Sequence, residues 1–220
     1  MHVIHSSGYI SLLIQLVTFF IGSYALLLPT NPANKDLKTL LGFETAVNVV
    51  EFCFYVWMVY HFKQIQNITK FRYYDWFFTT PVMLFTFSMY LLILSKEEKE
   101  EQHDLLTLAM GEKYVLAAIA LLNWCMLSFG YLSEIGLMGT QLATFLGFIP
   151  FTLMFYLIYE NYAKYTEVGR AAFVYFVVVW ALYGVAALMA YKMKNTFYNV
   201  LDVFSKNFFG LFLAYMIFLK

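Results

Sequence analysis

The sequence predicts an all-α membrane protein, a bundle of seven transmembrane helices. Three observations carry this. Of 220 residues, 62% are hydrophobic and 21% aromatic, while 13% are charged. A soluble domain is about 45–50% apolar and about 25% charged, so this chain lacks the charges to cover a water-facing surface. Seven apolar stretches recur along it, each near the roughly 20 residues that cross a bilayer as a helix.

Punctuation and charge place the spans at residues 9–28, 40–61, 73–94, 114–132, 140–159, 171–191 and 197–219. Polar connections occupy residues 29–38, 63–70, 95–113, 133–139, 161–170 and 192–196. The third of these carries the run Lys96-Glu97-Glu98-Lys99-Glu100-Glu101, which reads as a solvated loop. No internal repeat is evident, and one domain over residues 1–220 is expected. The opening Met1-His2-Val3-Ile4-His5 has no basic region and no small-residue cleavage site, so the first span is expected to remain as a helix.

Lysine and arginine in the loops bear on orientation. With the N-terminus outside, the inner segments hold Lys35, Lys38, Lys96, Lys99, Lys113, Lys164, Arg170 and Lys220, and the outer ones Lys63, Lys70, Lys192 and Lys194. Eight against four favours a multi-pass protein with its N-terminus outside and its C-terminus in the cytoplasm. The formal net charge is zero, which gives no reason to expect nucleic acid as a partner. Cys53 and Cys125 lie within apolar stretches and read as small buried hydrophobes; no metal site and no enzymatic constellation is read.

Ionisable groups inside a membrane are costly and mark function. Arg72 and Asp75 open the third span, and Asp202 and Lys206 lie four residues apart in the seventh, on one helical face. An intrahelical Asp202–Lys206 ion pair is one reading. The other starts from the ease with which a buried lysine loses its proton and condenses with an aldehyde. The protonated imine would then need carboxylates, which Asp75 and Asp202 supply while Arg72 offsets the excess negative charge.

The stretch Arg72-Tyr73-Tyr74-Asp75-Trp76-Phe77-Phe78-Thr79-Thr80-Pro81 resembles the third-helix signature of the microbial (type 1) rhodopsins. Leu201-Asp202-Val203-Phe204-Ser205-Lys206 resembles their seventh-helix signature, and Trp180 and Tyr183 match an aromatic pair of their sixth helix. The resemblance covers essentially the whole chain. It implies a bundle of the microbial rhodopsin type, with all-trans retinal bound to Lys206 as a protonated Schiff base. It makes Asp75 the counterion and primary proton acceptor, Asp202 the second carboxylate and Arg72 their partner. It implies a pocket of Trp76, Thr79, Thr80, Met83, Met126, Gly130, Trp180 and Tyr183. Gly184 and Ala187 depart from the family's usual proline and tryptophan, so the pocket should differ in shape.

In that family an internal proton donor sits eleven residues after the acceptor, and that position is Thr86 here. The missing acid argues against an efficient pump. Polar residues also form lines on three spans: Ser11 and Gln15; Glu44, Asn48 and Glu51; and Asn195, Asn199, Asp202 and Lys206, with Lys194 beside them. If the lines face one another they make a wet acidic path, which favours cations. The competing reading is polar glue between helices. The set is similar to the first group of rhodopsins from large algal-infecting DNA viruses, which implies light-gated cation conduction and, for a viral protein, a host-cell membrane. Thr80 and Asn123 stand where the algal channelrhodopsins carry a cysteine–aspartate gate.

The expected function is therefore a light-gated channel for monovalent cations or protons, embedded in a lipid bilayer. A sensory photoreceptor with a transducer partner and a light-driven outward proton pump remain as alternatives, and a homo-oligomer is compatible with each.

Overall fold

The structure, a computed structural model, describes residues 2–32, 34–62, 64–99 and 104–219. Lys63, Glu100, Glu101 and Lys220, which entered the reading of loop charges, lie outside the described residues. The helices run in order α1 (His2–Leu27), α2 (Lys35–His61), α3 (Ile68–Glu98), α4 (Leu105–Gly111), α5 (Lys113–Glu134), α6 (Thr140–Asn161), α7 (Glu167–Ala187), α8 (Tyr191–Asp202) and α9 (Phe208–Leu219). A π-helical turn, Val203–Asn207, joins α8 to α9. The seventh span is therefore Tyr191–Leu219, and among the described residues seven helical spans are long and apolar enough to cross a membrane.

Local chemistry sets the ends. The Asn67 side chain accepts from the Lys70 N–H at the start of α3, Asp104 accepts from Thr107 before α4, and Thr166 accepts from Gly169 before α7. Each occupies a helix N-cap, where a side-chain oxygen satisfies a backbone donor left without a partner. The Thr107 N–H also holds the Asp104 carboxyl below the usual carboxylate range. After α5 the chain reverses at Gly136, whose φ of 80° favours glycine. Leu137 N–H and Met138 N–H then close back on Leu132 O at 2.9 and 3.2 Å.

Burial is inverted relative to a soluble protein. Leu27, Tyr60, Tyr114 and Leu106 are widely exposed, whereas Arg72, Glu51, Asp202 and Gln15 are fully buried. An apolar exterior around a polar interior is the arrangement of an integral membrane protein, and the chain is a multi-pass one. The third and seventh spans are the most enclosed, each 61% buried over its apolar window against 11% for α5. They form the axis, with α1 packed on α2 and on both halves of the seventh span, and α5 packed on α6 and α3.

Three expectations change. Tyr191, read as the end of the sixth span, begins the seventh, and residues 192–196 are helical rather than a loop, because Lys194 and Asn195 turn inward to partners. The segment before α5 contains the short helix α4, whose few apolar residues carry too little periodicity to be read. Cys53 and Cys125 are free and exposed. A lipid-facing position is as apolar in sequence as a core one, so apolar neighbours could not separate the two.

Candidate functional site

The third and seventh spans, with α2, gather the charged groups at mid-bundle. Lys206 Nζ lies 2.6 Å from Asp75 Oδ2 and 3.9 Å from Glu51 Oε1, and all three side chains are buried. Arg72 Nη1 donates to Asp202 Oδ2 at 3.0 Å, again out of contact with solvent. Tyr55 and Tyr183 donate to the two Asp202 oxygens at 2.7 and 2.8 Å. Two cations and three carboxylates therefore share one desolvated volume, where breaking any pair would strand a buried charge.

Asp202 does not pair with Lys206, although four-residue spacing put them on one face. The Phe208 N–H bonds to Val203 O across the π turn, which adds a residue to that turn of helix. Lys206 is thereby aimed at α3, while Asp202 keeps its contacts with Arg72, Tyr55 and Tyr183. The neighbouring Asn207 faces α2, where the Asn48 amide donates to its Oδ1 at 2.9 Å.

An apolar cavity opens beside the Lys206 amine. Trp76, Thr80, Met83, Met126, Gly130, Trp180 and Tyr183 all line it, as does Lys206. Thr79 does not; it is buried one turn from Asp75 and donates to the Asp75 carbonyl at 2.9 Å. Gly184 and Ala187 also line the cavity. A Cβ at Gly184 would stand 2.6 Å from the Phe148 ring, so Phe148 occupies the volume a larger residue would take. At Gly130 a Cβ would stand 2.3 Å from Tyr73 Oη, which keeps that wall thin.

The three polar lines do face one another. At the α8 end Asn199 Oδ1 accepts from Arg72 Nη2, and from Tyr55 at 3.2 Å. Asn199 Nδ2 donates to Ser7 and Ile4 O of α1. Ser11 donates to the Asn199 carbonyl at 2.7 Å, and Asn195 pairs with Thr69. Lys194 meets Glu134 at 2.6 Å. Toward the α9 end the Thr86 hydroxyl donates to Glu44 Oε1. Several buried polar atoms on this line have no hydrogen-bond partner in the protein, including both amide atoms of Gln15, both oxygens of Glu51, Glu44 Oε2, Asn48 Oδ1 and Asn207 Nδ2.

The model of the family described as bacteriorhodopsin-like protein matches residues 7–219. The chain belongs to that family. Among solved structures, this rhodopsin is similar to viral rhodopsin OLPVRII, at 29% identity over 96% of this chain and 95% of the other, with a TM-score of 0.83. Thermophilic rhodopsin from Rubrobacter xylanophilus aligns at 16% identity over 97% and 95% of the two chains, TM-score 0.78. Acetabularia rhodopsin I aligns at 14% over 100% and 95%, TM-score 0.77. The last two show the shared fold. Comparison with curated proteins gave no match.

Rhodopsins of this family bind retinal, and the residues present fit it: an aromatic and methionine-lined cavity includes a buried amine beside a carboxylate. Sequence reasoning about this rhodopsin missed Tyr55, Asn207 and Glu134. Tyr55 had a signal, since it extends the Glu44, Asn48 and Glu51 face by one more turn. Asn207 had none, because only the extra residue of the π turn brings it toward α2. Glu134 is one acidic residue at a helix end, and its pairing with Lys194 exists only in three dimensions. The triplet Asn67-Ile68-Thr69 reads as a glycosylation sequon, yet Asn67 caps α3 and Thr69 is fully buried.

Proposed function

We propose that this protein is a retinal photoreceptor that works as a light-gated cation channel, with residues 1–220 forming one domain. Lys206 would carry all-trans retinal as a protonated Schiff base, Asp75 and Asp202 being its carboxylates and Arg72 the balancing cation. When bound, retinal supplies light absorption and an isomerisation that displaces charge at the lysine nitrogen. The loop charges favour an outside N-terminus and a cytoplasmic C-terminus, and a host-cell membrane if the protein is viral.

The observation that carries the channel reading is the polar column shared by α1, α2, α3 and the seventh span. Its unpartnered buried atoms favour water inside the bundle, and Glu44, Glu51 and Asp75 give it cation-attracting walls. Two constrictions interrupt it. The outer one joins Arg72, Asp202, Tyr55 and Asn199. The inner one is the Thr86–Glu44 contact.

The chemistry at the amine couples light to these constrictions. Asp75 Oδ2, 2.6 Å from Lys206 Nζ, is placed to accept its proton. That transfer would neutralise the Lys206–Asp75 pair and so change the field acting on the neighbouring Arg72–Asp202 pair with its tyrosine and asparagine partners, an electrostatic change acting on a two-state bundle. Lys194, Asn195, Ser11, Gln15 and Asn48 would line the rest of the route.

One contact favours a second reading, an outward proton pump. Thr86 occupies the donor position but holds a carboxyl from α2, Glu44, so an acid stands there after all. The light-evoked current–voltage relation of retinal-supplied cells separates the two. A current whose reversal potential follows the sodium gradient is expected. A current that stays outward at every voltage overturns the channel reading in favour of the pump, and silence from pigmented protein favours a sensor with a transducer.

A further inference from the structure

Pro81 lies inside α3. Its nitrogen carries no hydrogen, so the Phe77 carbonyl four residues earlier loses its helical donor. The Phe77 side chain is exposed on the bundle exterior, where lipid offers no water to replace that bond. A donor from another helix does. Trp124 Nε1 on α5 donates to Phe77 O at 3.0 Å, and its ring stacks on Phe77 with centroids 5.3 Å apart and planes 20° from parallel.

The two preceding carbonyls also receive side-chain donors. Thr79 Oγ1 donates to Asp75 O at 2.9 Å, and Thr80 Oγ1 to Trp76 O at 2.7 Å. Hydroxyls that bond back one turn bend a helix. Asn123, next to Trp124, donates to Thr80 Oγ1 at 2.7 Å. Adjacent residues of α5 therefore hold the third helix at two points of the turn that precedes Pro81. The stretch just before it carries Asp75, 2.6 Å from Lys206, and Trp76, which lines the cavity.

We infer that Trp124 is a positioning residue whose indole N–H caps the carbonyl freed by Pro81 and so fixes the bend that presents Asp75 and Trp76 to Lys206. The inference rests on the retinal reading proposed above. A tryptophan that served only as a lipid-facing ring would act through its area, whatever residue stood at 81. A tryptophan that serves as donor matters only while Pro81 leaves Phe77 O unpaired.

A double-mutant cycle separates these. Parent, Trp124→Phe, Pro81→Ala and the double variant are loaded with retinal, and the time for the dark spectrum to recover after a flash is measured. Trp124→Phe keeps the stacked ring and loses the N–H. It should retain a visible band and change the recovery time about threefold or more, whereas in the Pro81→Ala background the same substitution should change it by less than about 1.5-fold. Thermal unfolding of the same four proteins without retinal gives a pigment-independent reading, with Trp124→Phe lowering the midpoint only where Pro81 is present. Equal effects in both backgrounds, or none in either, overturn the inference. A parent protein with no visible band overturns the retinal reading and the inference with it, and the parent alone reveals that outcome.

Discussion

Asn199 is the side chain on which the proposed outer constriction turns, and Asn199→Leu tests it at nearly constant volume. The amide is fully buried. Its oxygen accepts from Arg72 and Tyr55, and its nitrogen donates to Ser7 Oγ at 2.8 Å and Ile4 O at 3.0 Å. Leucine removes all four bonds. Arg72 keeps Asp202 and Tyr55 keeps Asp202, so no charge is stranded. Three neutral bonds at about 1 kcal/mol each and one to a guanidinium at about 1.5–3 kcal/mol set the gross loss. Apolar burial of the leucine returns part of it, which leaves a net destabilisation of about 3–5 kcal/mol. For a chain of this size each kcal/mol moves the unfolding midpoint by about 2–4 °C, so a fall of about 10 °C is expected in detergent-purified protein. The same variant loosens α1 from the seventh span at the outer mouth and should produce a sodium leak in the dark. A midpoint within about 2 °C of the parent, together with an unchanged dark conductance, would refute the assignment of Asn199 as the hub of that constriction.

Two further outcomes follow from the same geometry. Lys206→Ala removes the amine at the end of the slot, so purified protein incubated with retinal should show no stable visible band; a persistent band would refute the linkage. Thr86→Val deletes the hydroxyl that donates to Glu44 and nearly preserves shape. It should leave the visible band in place and change photocurrent amplitude about threefold or more, the size expected when a hydrogen bond of roughly 0.5–1.5 kcal/mol controls the inner constriction. An unchanged current would remove Thr86 and Glu44 from the conduction route.

Much of the site was legible because membrane chemistry is restrictive. Arg72, Asp75, Asp202 and Lys206 stood out because charges inside apolar spans need partners, and those partners are present. Glu44, Asn48 and Glu51 fell on one face because a helix repeats every 3.6 residues. Glu51 itself reaches Lys206 at 3.9 Å. Thr79 was less legible: a residue one turn from Asp75 and one before Thr80 could have faced the cavity, and only the rotation of α3 in the bundle leaves it off the cavity wall.

The sequence by itself determined the class of the protein and the number of its spans, since apolar length and the scarcity of charge depend on composition alone. It also determined the polar faces, because helical periodicity is a local property. Tertiary structure decided which faces meet and which pairs form. The π turn at Val203–Asn207 assigns Lys206 to Asp75 and Asn207 to Asn48. Packing of α2 against α3 sets Glu44 on Thr86. The register of α5 on α3 brings the Trp124 indole to the carbonyl that Pro81 leaves open. Each joins residues tens of positions apart, and such contacts depend on helix register and rotation, which local sequence does not encode.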